Sequence, residues 1–285
     1  MSFVTRFAPS PTGPLHLGHI LSALTVWDAA RRADGVVLLR IEDIDAGRCK
    51  PEYETGIRDD LAWLGLTWPE PVWRQSDRLH VYRDALAKLD ARGLVYPCFC
   101  SRSEIRDAAE EDGFEGPVYP GTCRDLPAEA ARSRIEAGEP AAWRIRLDRA
   151  LEETGPVIWT DTGAGEQRWD GDGWGDVVLG RKDSGVSYHL AAVIDDAAQG
   201  VTDVIRGHDL FTATHVHVTL QRLFGLPVPR YFHHRLLLDE EGEKLSKSKG
   251  AESVRTTFGS LGPRGVLDAL MRAGAPSSLF DHLGL

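Results

Sequence analysis

An apolar run at residues 3–7 leads into a Pro/Gly turn, and from Leu17 apolar side chains recur at helical spacing as far as residue 33. Gly35 ends that pattern, and Val36 to Ile41 is a short continuous apolar run of the kind a buried parallel strand carries. The start of the chain therefore predicts strand, helix, strand. Residues 52–64 predict a helix ending at Gly65, and residues 77–92 another, with Ser76 as its N-cap and Gly93 just past its end. The helical period returns at Tyr188 and runs through Asp195. A strand at Val201–Ile205, a helix over 209–224 ending at Gly225, a strand at Phe232–Leu238 and a last helix over 263–273 complete the reading.

Between these two regions the text changes. From Val95 to Ser187 it is rich in Gly, Pro, Asp and Trp, with short apolar runs. Alternation predicts strands at Trp143–Leu147 and Val157–Thr160. The stretch reads as an insertion in an α/β domain. The expected divisions are 1–94, the first half of the α/β domain; 95–187, the inserted subdomain; 188–250, the second half; and 251–285, a short helical tail.

With 285 residues the chain can bury a large core. It shows no secretory apolar core at its start and no apolar run long enough to span a bilayer, so a cytoplasmic protein without a membrane partner is expected. The net charge of −10 speaks against binding nucleic acid through the whole surface, but leaves room for a local basic groove. Three of the four cysteines, Cys98, Cys100 and Cys123, fall in one segment, while Cys49 stands apart. In a cytosolic chain such a cluster points to a metal rather than to disulfides. No histidine lies between His80 and His189, so no local imidazole can complete the set. Three buried free thiols are the other reading.

His16 and His19 lie three apart at the start of the first helix, with Gly18 between them. The first amides of a helix lack internal partners and suit a phosphate, and Gly18 allows a flat ring or an anion close to the backbone. Far downstream, Lys244-Leu245-Ser246-Lys247-Ser248 lies in a Gly-rich charged loop. His-x-Gly-His after a first strand with a late K-x-S-K-S resembles the signature of class I aminoacyl-tRNA synthetases. The strings Arg6-Phe7-Ala8-Pro9-Ser10-Pro11-Thr12-Gly13 and Arg40-Ile41-Glu42-Asp43-Ile44-Asp45 narrow the likeness to the catalytic half of the glutamyl-tRNA synthetase family.

That resemblance implies a Rossmann-type, doubly wound parallel sheet of the class I synthetases, interrupted by a zinc-bearing α+β subdomain. It implies ATP with magnesium as substrate, contacted by His16, Gly18, His19 and Lys247. His16, His19, Lys244 and Lys247 would act in catalysis by stabilising phosphate charge. A glutamate pocket would be built from Arg6, Phe7, Ala8, Pro9, Ser10, Glu42, Tyr188 and Arg206. The chemistry agrees, since planar guanidinium groups pair with carboxylates and a carboxylate can hold the ammonium. An ion pair of Arg206 with Asp203 or Asp209 is the structural alternative. Where glutamyl enzymes commonly place an asparagine, this chain has Ala192, which puts one polar contact in doubt. The pattern C-x-C…Y-x-x-x-C resembles the family's zinc knuckle, with Cys98, Cys100, Cys123 and Tyr119 as ligands of one structural zinc.

Residues 249–285 leave room for a helix or two but not for an anticodon-binding domain. The resemblance then extends to truncated members of the family that activate L-glutamate without tRNA. They transfer it to queuosine at the wobble position of tRNA(Asp), docking the anticodon stem-loop as monomers. A compact enzyme charging the 3′ end of a tRNA, or an RNA-binding paralogue without turnover, are the alternatives.

Overall fold

The computed structural model describes residues 2–237 and 253–277. β1 (Val4–Phe7), α1 (Leu17–Arg32) and β2 (Val36–Ile41) form a parallel βαβ unit, with Val4 opposite Val36 and Phe7 opposite Leu39. In α1 the buried positions Ile20, Leu21, Ala23, Leu24, Val26 and Trp27 occupy more than one face, because the helix packs on β1, β2 and the later strand Asp203–Gly207 as well as on a C-terminal helix. Each large side chain withdrawn from water there contributes about 1.5–3 kcal/mol. α2 (Pro51–Trp63) follows, and β3 (Trp73–Arg74) extends the sheet in parallel beside β2. A 3-10 turn at Gln75–Arg78 precedes α3 (Leu79–Ala91). Ser76 does not cap that helix. Its hydroxyl and its backbone N–H both donate to the Asp43 carboxylate, at 2.6 and 2.8 Å, so a polar contact across the fold displaces the local one.

The stretch from 95 onward contains β4 (Val95–Cys98), α4 (Arg102–Ala108), the short hairpin β5 (Asp112–Gly113) and β6 (Gly116–Pro117), α5 (Ala128–Glu136), β7 (Ala142–Ile145), α6 (Leu147–Thr154), β8 (Val157–Asp161), β9 (Gly165–Trp169) and β10 (Val178–Gly180). β4, β7 and β10 make an antiparallel sheet in the order β10-β7-β4. α7 (Tyr188–Ala198), β11 (Asp203–Gly207), α8 (Ala213–Leu223) and β12 (Arg230–His234) then complete the α/β part, and α9 (Val254–Phe258) and α10 (Gly262–Arg272) pack beside it. β11 pairs in parallel with β12, and β12 with β8, while β9 closes a hairpin on β8. β1 lies against the start of β11, where the Thr202 N–H donates to the Val4 carbonyl at 2.8 Å. The parallel strands thus stand side by side with their carboxyl ends together.

The apolar residues of 95–187 divide between a shared core and a small one of their own. Val95, Ile145, Leu147, Val157, Trp159, Trp169 and Leu179 share one buried cluster with Tyr82, Leu190, Val216 and Tyr231. A small cluster of its own surrounds Tyr96, Cys98, Phe99, Tyr119, Cys123 and Ala131. Among the described residues, no helix is long and apolar enough to cross a membrane.

Candidate active site

A cavity of about 370 Å³ opens where β1, β2 and β11 end. It is lined by Arg6, Phe7, Ala8, Pro9, Ser10, His19, Ser22, Glu42, Tyr188, Ile205, Arg206, Gly207 and Leu210. Every residue expected to contact the amino acid therefore borders one space. The geometry is built locally. Arg6 and Arg206 occupy the last turns of buried strands, Glu42 follows β2 directly, and its N–H is held by the Pro9 carbonyl at 3.1 Å. Tyr188 is the first residue of α7, behind the N-cap Ser187. Ala192 is buried in that helix and supplies no polar atom.

The charges are arranged unequally. Arg6 donates from Nε to Asp196 at 3.0 Å. Arg40, fully buried, donates to the same carboxylate at 2.8 Å and to Glu42 at 3.1 Å, with Gln199 at 2.9 Å. Asp195 lies behind and accepts from Arg78 and Tyr82. Burial pushes the Glu42 carboxyl above its ordinary range, with Arg40 and Arg6 pulling against it. Burial also acts to raise Asp196, but Arg6 and Arg40 prevail and hold it low. Among the described residues Arg206 has no acid partner. Its five N–H groups go to His233, Tyr188, His217, Thr214 and the Leu210 carbonyl. Asp203, one proposed ion-pair partner, is taken instead by Arg230 at 2.8 Å.

The helix start differs from the expectation of open amides. His16 is the N-cap of α1, its Nδ1 accepts from Gly18 N–H at 3.1 Å, and the Nδ1 of His19 accepts from His16 N–H at 3.3 Å. A side chain inside the motif thus satisfies an amide that was expected to face a ligand. The consequence is chemical. With Nδ1 used as acceptor, each neutral ring carries its proton on Nε2 and can donate it. The rings lie 3.8 Å apart, and a Cβ on residue 18 would stand 3.0 Å from His16 Cε1, so Gly18 makes room for its own neighbour. Lys244 and Lys247 lie outside the described residues.

The sulfur atoms of Cys98, Cys100 and Cys123 all lie within 4.8 Å of one another, and the Tyr119 hydroxyl is 3.7 Å from Cys100 Sγ. That hydroxyl accepts from Cys123 N–H at 2.8 Å. Three thiols and a phenol oxygen converging on one point fit a tetrahedral zinc in donor type. Cys49 is elsewhere, near the Glu42 carbonyl.

Sequence reading passed over Arg40, Asp195, Asp196, His217 and His233. The signal available was a charged or imidazole side chain inside a stretch that must be buried, since Arg40 interrupts the apolar β2 and the two histidines interrupt α8 and β12.

The family described as tRNA synthetases class I (E and Q), catalytic domain, matches residues 2–275. The glutamyl-Q tRNA(Asp) synthetase of Rhodobacter capsulatus is 52% identical over 265 residues, covering 88% of this chain and 93% of that protein. The protein of the same name from Symbiobacterium thermophilum is 45% identical over 260 residues, covering 87% and 79%. A glutamate tRNA ligase from Elizabethkingia meningosepticum, solved in complex with its amino acid, superposes with a TM-score of 0.73 at 30% identity. That match covers 87% of this chain and 52% of the ligase, so the chain spans about half the ligase's length.

Proposed function

The chain belongs to the class I tRNA synthetase (E and Q) catalytic-domain family, and on that premise we propose that it activates glutamate with ATP, without needing tRNA, and transfers it to queuosine at the wobble position of tRNA(Asp). One observation carries the first half: a buried arginine without an acid partner among the described residues borders the same cavity as a buried carboxylate. Glutamate has two carboxylates and one ammonium. Its side-chain carboxylate seats on Arg206, its ammonium is held by Glu42, and its α-carboxylate is left for the His19 end of the cavity.

In the first step an α-carboxylate oxygen attacks the α-phosphorus of magnesium-bound ATP, and pyrophosphate leaves. The protein contributes positioning and donors to the developing charge, which are the Nε2–H groups of His16 and His19. By resemblance Lys244 and Lys247 neutralise the departing phosphates. In the second step a ring hydroxyl of queuosine attacks the glutamyl carbonyl, an ester forms and AMP leaves. The names of the two relatives support this acceptor. We assign Cys98, Cys100, Cys123 and Tyr119 to one structural zinc, which would tie β4 to the segment before α5. Metal analysis of the native protein checks the assignment: one zinc per chain is expected, and a metal-free native protein rejects it.

The deciding assay supplies ATP and labelled glutamate with queuosine-containing tRNA(Asp) or with tRNA(Glu), followed by nuclease digestion. Label on the queuosine nucleoside is the expected result. Label on the terminal adenosine of tRNA(Glu) would instead make the chain a compact charging enzyme. Loss of glutamate-dependent pyrophosphate exchange altogether would remove the enzyme.

A further inference from the structure

Arg206 is 5% exposed, and the two sides of its guanidinium differ. Toward the cavity, the Tyr188 hydroxyl accepts from Nη1 and the Leu210 carbonyl from Nη2, each at 3.1 Å, and both residues line the cavity. Away from it, Nε donates to His233 Nε2 at 3.1 Å, Nη1 to His217 Nδ1 at 3.1 Å and Nη2 to Thr214 Oγ1 at 2.7 Å. A guanidinium has only donors, so both ring nitrogens facing it carry lone pairs. This settles the rest of each imidazole. His233 keeps its proton on Nδ1 and donates it to Asp161 at 2.7 Å. His217 keeps its proton on Nε2 and donates to His189 Nδ1 at 3.2 Å, and His189 in turn donates from Nε2 to Glu115 at 3.5 Å. Burial agrees, holding His217 well below the usual imidazole range and His233 down to about 4.

We propose that His217 and His233 are positioning residues that set amino-acid specificity: as neutral acceptors they orient Arg206 while the acids at the far end of each chain, Asp161 and Glu115, stand one and two imidazole rings away. The guanidinium is fully hydrogen-bonded, so it is fixed in place, but among the described residues no carboxylate meets its charge by direct contact. A ligand carboxylate replaces the cavity-side acceptors and supplies that charge. A carboxamide replaces the same acceptors and supplies none, so glutamine is refused. A carboxylate at position 217 would end the distinction, because the charge would be met before any substrate arrived.

The inference rests on the glutamate-activating reading, and the test separates the two. His217→Asp and His217→Asn place an oxygen near the position of Nδ1 and differ in charge alone. Glutamate- and glutamine-dependent pyrophosphate exchange are measured for both and for the unaltered protein, with the KM for ATP as control. His217→Asn is expected to keep the preference for glutamate. His217→Asp is expected to raise the KM for glutamate about tenfold or more and to narrow the glutamate-to-glutamine ratio of kcat/KM by a like factor, with the KM for ATP unmoved. Two variants that behave alike would overturn the inference alone, whereas no glutamate-dependent exchange in the unaltered protein overturns the parent reading as well. If the Asp variant does not fold, the ring ¹⁵N shifts of the native protein decide. Neutral His217 protonated on Nε2 and neutral His233 protonated on Nδ1 are expected through the neutral pH range, and an imidazolium at either position would refute the proposal.

Discussion

His16 has two structural tasks before it has a catalytic one. Its ring accepts the Gly18 amide and its carbonyl accepts those of His19 and Ile20. The catalytic proposal uses the other nitrogen, because a neutral ring whose Nδ1 accepts from the backbone carries its proton on Nε2. Removing that donor by His19→Ala should lower glutamate-dependent pyrophosphate exchange by about 10²–10³-fold, the cost of one preorganised donor to a developing oxyanion. An unchanged rate would take His19 out of the mechanism. Gly18→Ala is the subtler probe. Its new Cβ would lie 3.0 Å from Cε1 and 3.1 Å from Nδ1 of His16, so the ring must shift by a few tenths of an ångström. A loss of about tenfold in kcat with little change in the KM for glutamate is expected, since misplacing a donor affects the transition state more than the bound substrate.

At the scale of elements, α2 meets α9 through charge that the fold does not fully satisfy. Asp60 is 1% exposed, and neither carboxylate oxygen has a hydrogen-bond partner among the described residues. The nearest cation, Arg255, stands at 3.6 Å and donates instead to Asp59 at 3.2 Å. Burial pushes the Asp60 carboxyl up to about 6, against the pull of Arg255. Between its unfolded value near 4 and about 6, the folded protein keeps a proton that the unfolded chain has lost. Stability therefore falls as pH rises through that window, and the whole cost stands above it. Asp60→Asn should raise stability on the order of 2 kcal/mol at pH 8 and leave it nearly unchanged at pH 4. Thermal melts of both proteins at the two pH values check this, and an equal loss at both would show that Arg255 needs the charge. Such a site was not legible in the sequence, where Asp60 reads as one more polar position on an amphipathic helix. β1, α1, β2, α7, β11 and α10 were legible, because the apolar period there leaves few alternatives, whereas β12 begins two residues before the expected strand and ends at His234. β5, β6 and β10 span two or three residues each, too few for a period to show. Ser76 was misread as a cap because capping is a local signal, and its real partner, Asp43, is distant in sequence.

For the whole molecule, the insertion seen in composition is a real change of texture whose core is partly shared, since Trp159, Trp169 and Leu179 pack with α3, α7 and α8 while Tyr96, Phe99 and Tyr119 cluster on their own. Composition records where the chain departs from α/β text, while a shared core depends on contacts that composition does not encode. The same distinction governs charge. A chain of net charge −10 repels a polyanion as a whole, so an RNA substrate must be held where cations gather. A groove of about 410 Å³ between α3 and β7 gathers Arg83, Arg181 and Lys182 around Trp143. Arg181 also reaches Asp45, in the loop that follows Glu42, which links this groove to the rim of the amino-acid cavity. Arg181 is already paired with Asp183, so two to three cations release about as many counterions from RNA. The logarithm of kcat/KM for transfer to RNA should therefore fall against the logarithm of salt with a slope of roughly −2 to −3, much shallower than for a protein that tracks a long backbone. Glutamate-dependent pyrophosphate exchange involves no polyanion and should hardly move over the same range. Arg83→Ala removes an exposed cation that does not line the amino-acid cavity. It should flatten the slope for transfer by about one while sparing exchange. A slope unchanged by that substitution would place the RNA elsewhere on the surface. A slope several times steeper would mean that cations beyond this groove carry the contact.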